Sequence, residues 1–122
     1  MKKILIADDK AEIRSLVEIT LDLGEFEFFQ ADNGLAALEA TRKVHPDLVI
    51  LDVMMPGELD GYGVCDAIKK DPATQDIRVL MLTARGQEAD QQQGSAAGAD
   101  DYFIKPFSPR ELLDKVCHVL NI

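Results

Sequence analysis

The sequence predicts an α/β fold, one parallel β-sheet with helices on both faces. Three observations carry that expectation. Strand and helix signals alternate five times along the 122 residues, and strict βα alternation implies right-handed crossovers over a parallel sheet. Four apolar runs (Ile4-Leu5-Ile6-Ala7, Leu48-Val49-Ile50-Leu51, Val79-Leu80-Met81-Leu82 and Tyr102-Phe103-Ile104) are short and unbroken, the pattern of strands buried on both faces. Each of these runs stops at a polar residue: Asp8-Asp9, Asp52, Thr83 and Lys105. In a parallel sheet the four stops share one carboxyl edge, where such sheets bind ligands.

The first strand leads into a helix over 10–23, with Ile13, Leu16, Val17 and Leu21 on one face and Gly24 as its stop. Residues 26–31 read as a second strand nearer a sheet edge, because polar residues interrupt it. Asp32-Asn33-Gly34 is a turn opening a helix to about residue 44, with Leu35, Leu38 and Val44 facing inward, and His45-Pro46-Asp47 breaks it. The third strand is 48–51. A loop with Pro56 and Gly57 follows. Asp60 then caps a helix carrying Val64, Ile68, Lys69 and Lys70, which Asp71-Pro72 ends. A fourth strand lies near 78–82, and the Gln- and Ala-rich residues 86–97 give a helix with a weak apolar stripe. A fifth strand lies near 101–104. Ser108-Pro109-Arg110-Glu111 starts the last helix, with Ser108 as N-cap, Pro109 at the first helical position and Glu111 completing a capping box. Leu112, Leu113, Val116, Val119 and Leu120 form its buried face.

A chain of this length suits one domain, 1–122, that buries roughly two-thirds of its unfolded surface. The net charge of −9 argues against direct nucleic-acid binding, which needs a basic patch. No apolar run approaches about 20 residues, so no membrane span is expected. Met1-Lys2-Lys3 leads into only four apolar residues, too short for a signal-peptide core, and the reading is cytoplasmic. Cys65 and Cys117 have no CxxC context and read as buried thiols in a reducing compartment.

The strand tips carry the chemistry. Two carboxylates about 4 Å apart repel by about 4 kcal/mol at an effective dielectric near 20. Asp8, Asp9 and Asp52 in one crevice therefore call for a cation. All-oxygen ligands suit Mg²⁺, and no His or Cys lies at these tips to favour zinc. With a cation bound, a carboxylate can accept a phosphoryl group. Asp52 stands alone on a middle strand and is the acceptor, whereas Asp8-Asp9 form a pair suited to metal. Lys105 can pair with phosphoryl oxygens as a point charge, and Thr83 can donate a hydroxyl hydrogen bond. Taken singly, each acid could be a helix cap and Lys105 a solvated charge. The agreement of four tips at once makes the signal strong.

The segments ILIADD, LVILDVMMPG followed by DG, VLMLTA and GADDYFIKPF resemble the receiver domain of bacterial two-component response regulators, from Lys3 to about Leu120. The resemblance implies a flavodoxin-like, doubly wound (βα)5 sheet of order 2-1-3-4-5. It implies Asp52 as phosphoacceptor and Asp9 as a direct Mg²⁺ ligand, with Asp8 acting through water and the Met54 backbone carbonyl completing the metal shell. Thr83 and Tyr102 match the switch residues, Lys105 the family's lysine, and Lys105-Pro106 a cis peptide bond. Asp60-Gly61 fall eight and nine positions after Asp52, one later than the usual pattern, so the loop 56–59 carries an extra residue. That is expected to alter partner contacts or loop mobility rather than chemistry.

The implied partner is a sensor histidine kinase or phosphotransfer protein that charges Asp52. The residue 86–120 face then switches its affinity for a downstream protein or for a second copy of the chain. Such a chain is not an enzyme in the ordinary sense, since it catalyses only its own Mg²⁺-dependent phosphorylation and dephosphorylation. The alternatives are a degenerate receiver acting as an unphosphorylated scaffold, or the receiver piece of a longer regulator. A phosphohydrolase is disfavoured because the chain has no room for a substrate-closing cap.

Overall fold

The computed structural model describes residues 1–84, 98–105 and 108–122, with Ala84 and Lys105 described in their backbone alone. The helix expected over 86–97, the Lys105 side chain and Pro106 with its cis bond lie outside the described residues. Five strands form one sheet: β1 (Lys2–Ala7), β2 (Phe26–Ala31), β3 (Leu48–Asp52), β4 (Arg78–Ala84) and β5 (Asp101–Lys105). Four helices are described: α1 (Ala11–Leu21), α2 (Gly34–Val44), α3 (Gly61–Lys70) and α4 (Pro109–Leu120). The strand order is β2-β1-β3-β4-β5, and every pairing is parallel. The switch point therefore lies between β1 and β3, whose connections leave in opposite directions.

Three of the four unbroken apolar runs do face both ways; in the fourth, on the edge strand β5, Ile104 is 42 % exposed, so that run is not buried on both faces. Leu5, Ala7, Val49, Leu51, Val79 and Met81 point into a core shared with α2 and α3. Their neighbours Ile4, Ile6, Leu48, Ile50, Leu80 and Leu82 point into a second core with α1 and α4. This is the period-2 alternation of a strand with a hydrophobic layer on each side. Deleting a fully buried leucine such as Leu112 would cost about 2–5 kcal/mol. Interrupted β2 takes the edge position, with Glu27 and Gln30 exposed.

Three of the described helix starts have side-chain caps, two of them (Asp60 and Ser108) as the sequence predicts. Asn33 accepts from Ala36 N at 2.9 Å, Asp60 from Gly63 N at 2.9 Å, and Ser108 from Glu111 N at 3.1 Å. Each satisfies a backbone donor that the helix itself cannot. Helix α1 starts without one: its N-cap residue is Lys10, which makes no capping bond.

Two inward assignments were wrong. Leu16 is 45 % exposed and Leu35 59 % exposed. On α1 the buried positions are Val17 and Leu21, a narrower stripe than the four apolar residues suggest. On α2 they are the small residues Gly34, Ala37 and Thr41. A close approach explains the second case: a Cβ on Gly34 would overlap the Leu59 backbone carbonyl. The helix must present its smallest side there, which turns Leu35 outward. Cys117 is half-buried rather than buried, and neither cysteine is in a disulfide.

Candidate metal and phosphoryl site

The ladder registers bring the polar tips together. Ala7 pairs with Leu51, so Asp8 stands level with Asp52. Asp52 pairs with Leu82, and Val53 N continues the ladder to Leu82 O at 3.1 Å, which sets Thr83 beside the tip of β3. Asp8, Asp9 and Asp52 each offer an oxygen, and these oxygens lie within 4.8 Å of one another. Asp8 is fully buried and Asp52 is 6 % exposed, whereas Asp9 faces solvent. Two buried acids and one open one form a socket reachable from outside.

The donor set fits a hard divalent cation. All three groups are carboxylates, close enough that their mutual repulsion is strong and a shared cation would relieve it. Thr83 is buried, and its Oγ1 has no hydrogen-bond partner among the described residues. A buried hydroxyl at this position can donate a hydrogen bond to a group bound beside Asp52. Next to the acids lies a cleft of about 690 Å³ lined by Asp9, Asp52, Met54, Met55, Pro56 and Tyr62. The Met54 side chain is 69 % exposed at its rim.

The backbone under the site is held closely. Gly61 N donates to Val53 O at 3.2 Å, and a Cβ on Gly61 would overlap the Asp52 carbonyl. Only glycine allows α3 to start against the residue that carries the candidate nucleophile. A Cβ on Gly63 would meet the Leu59 side chain at 2.5 Å. The longer loop is thus closed at its base by Leu59, seated between Gly34 and Gly63, and its outer residues Pro56, Gly57 and Glu58 are exposed.

The sequence placed Asp8, Asp9, Asp52 and Thr83 at one edge, and the structure brings them together. Of Lys105 only the backbone is described; it ends β5 opposite Ala84, at the same edge. Tyr102 is half-buried and packs against the α2/α3 core. Sequence reasoning missed Arg14. Its Nη1 donates to the Asp8 carbonyl at 2.7 Å and its Nε to Gln30 Oε1 at 3.0 Å. Its position one helical turn past Lys10 was the available signal. Neither Asp8 nor Asp9 is the N-cap of α1, although Asp8 Oδ1 accepts from Lys10 N at 2.9 Å.

A parallel sheet in this order, with acids gathered at its switch point, defines a receiver. Residues 4–117 match the response regulator receiver domain family, and the chain belongs to it. It is 48 % identical over 120 residues to a probable transcriptional regulator ycf27 of Pyropia yezoensis, covering 98 % of this chain and 48 % of that protein. It is 44 % identical over 121 residues to the DNA-binding dual master transcriptional regulator RpaA of Synechocystis, covering 99 % of this chain and 50 % of that one. The chain spans about half the length of these relatives. A putative response regulator from Chloroflexus aurantiacus superposes with a TM-score of 0.93 at 37 % identity, covering 99 % of this chain and 98 % of that one. Chemotaxis protein CheY4 of Vibrio cholerae gives 0.89 at 34 %, with 98 % of both chains covered.

The expectation of no nucleic-acid contact finds no support in these relatives, one of which is named as DNA-binding. No helix among the described residues is long and apolar enough to cross a membrane.

Proposed function

We propose that residues 1–122 act as one receiver unit that accepts a phosphoryl group on Asp52 from the phosphohistidine of a histidine kinase or phosphotransfer protein. The observation that carries this is the convergence of three carboxylates within 4.8 Å beside a buried hydroxyl without a described partner. An Asp52 carboxylate oxygen attacks phosphorus in line. The new P–O bond forms as the P–N bond breaks, and the imidazole nitrogen keeps the electron pair of the broken bond. Asp8, Asp9, Asp52 and the Met54 carbonyl would hold Mg²⁺, which would supply neutralisation of charge on the phosphoryl oxygens. Thr83 Oγ1 donates a hydrogen bond to a phosphoryl oxygen, and Lys105 pairs with another.

The phosphoryl group adds a charge of about −2 at neutral pH. Drawing Thr83 and Lys105 toward it vacates space for Tyr102, which shifts the population between two conformers of the 86–120 face. The receiver catalyses only its own loading and unloading. In a longer protein of the kind its relatives represent, that face would control an output region, including one that binds DNA.

The test is intact-mass analysis after incubation with acetyl phosphate and Mg²⁺. The wild type should gain one phosphoryl group, the gain should vanish with EDTA, and Asp52→Asn should not show it. A gain retained in Asp52→Asn would place the acceptor elsewhere. No gain in the wild type, even from a charged phosphotransfer protein, would favour the scaffold reading.

A further inference from the structure

A chain of hydrogen bonds outside the acidic trio holds its backbone. Arg14 on α1 donates from Nη1 to the Asp8 carbonyl at 2.7 Å and from Nε to Gln30 Oε1 at 3.0 Å. Gln30 on β2 in turn donates from Nε2 to Glu18 Oε1 at 3.2 Å. The guanidinium is thus fixed from two sides before it reaches the site. Its acceptor is the oxygen of the peptide that joins Asp8 to Asp9, and a peptide unit is a rigid plane. Fixing that oxygen fixes the direction in which the chain enters Asp9. Asp8 is also held at its N–H, by Ala31 O at 3.1 Å, and at its side chain, by Lys10 N at 2.9 Å. Asp9 is exposed and takes its direction from the shared peptide.

We infer that Arg14 is a positioning residue for the cation site: through the Asp8 carbonyl it sets the Asp8–Asp9 peptide plane so that both carboxylates face Asp52. The inference rests on the acidic trio being the metal site. Two physical roles of Arg14 have opposite signs. As a cation beside an anionic socket, it repels a divalent ion, and by charge alone its removal would tighten metal binding. As the group that orients the ligands, its removal weakens binding, as loss of outer partners does at metal sites. Gln30 carries no charge, so its removal acts only through the position of Arg14.

The experiment titrates Mn²⁺ against the full chain and reads free Mn²⁺ by electron paramagnetic resonance, with Mg²⁺ as competitor. Circular dichroism and thermal unfolding in EDTA follow folding separately. The wild type should bind one ion at a site lost in Asp9→Asn. Arg14→Ala should bind about tenfold more weakly. Arg14→Lys should recover part of the loss, because an ammonium reaches one acceptor but lacks the planar fork that spans two. Gln30→Ala should weaken binding by a smaller factor, and it carries the test if Arg14→Ala does not fold. Binding by either Ala variant as tight as wild type, or tighter, overturns the positioning role and leaves the metal site standing. A wild type that binds no Mn²⁺, or binds it unaffected by Asp9→Asn, overturns the metal site and the inference with it.

Discussion

The two edges of the sheet treat charge in opposite ways. At the amino edge opposite charges meet at short range. Lys69 Nζ lies 2.8 Å from Asp100 Oδ2 and 2.6 Å from the Ile77 carbonyl. The same Asp100 oxygen accepts from Val79 N at 2.8 Å, and its other oxygen lies 3.4 Å from Arg78. Asp47 Oδ2 accepts from Lys3 N at 2.7 Å. At the carboxyl edge three like charges gather within 4.8 Å, and a buried hydroxyl lacks a described partner. One edge uses charge to tie α3, β4 and β5 together. The other gathers acids of like charge beside a buried hydroxyl, an arrangement suited to receiving a cation and a phosphoryl group.

The largest effect should come from breaking the amino edge. Asp100→Ala leaves the Lys69 side chain, only 17 % exposed, without its carboxylate and the Val79 amide without its acceptor. Urea unfolding should show a loss of about 2–3 kcal/mol. An equal loss in Asp100→Asn would assign the effect to charge; partial rescue would assign part of it to the Val79 hydrogen bond. At the other edge, Gly61→Ala drives a methyl into the Asp52 carbonyl. It should cost about 1–3 kcal/mol and reduce phosphoryl gain more than a distant change of equal cost does. Ser108→Ala removes the α4 cap and should cost about 1 kcal/mol while leaving Mg²⁺ binding unchanged, which separates helix stability from the site.

Much of this was legible in the sequence because strand ends and caps are local signals. Residues 26–31 are β2 as read, and Asp60 and Ser108 cap the helices that their spacing implies. The edge of acids followed from parallel strands alone. Contacts between elements distant in sequence did not follow. Leu35 points outward because Leu59, on a loop well along the chain, approaches Gly34 too closely for a larger residue. Arg14 reads as an ordinary helix-surface cation until Gln30 and the Asp8 carbonyl are placed beside it. Lys69 reads as a charge favourable to the end of α3, and it is that, but its partner Asp100 lies 31 positions on.

A smaller effect concerns Cys65, whose burial pushes its thiol up from 9.0 to about 12, with Lys69 opposing. The folded state therefore holds this proton over a range where the unfolded thiol has lost it. The stability it contributes is complete below about pH 9 and is lost as pH rises toward 12. In native protein near neutral pH, iodoacetamide should modify half-buried Cys117 while sparing Cys65, read by peptide mass mapping. Equal labelling would mean that α3 opens more readily than its packing implies.

The contrast between the edges is tested most directly by the stability of Asp9→Asn against wild type, by urea unfolding in EDTA and again in Mg²⁺. Asp9 is exposed, and the substitution keeps its size while removing one of three like charges. In EDTA, Asp9→Asn should be more stable than wild type, by about 1 kcal/mol or less. In saturating Mg²⁺ the wild type should gain stability by mass action, and Asp9→Asn should gain little, so that the order narrows or reverses. An Asp9→Asn protein less stable than wild type in EDTA would contradict the contrast, because the carboxyl-edge acids would then be holding the fold as Asp100 does.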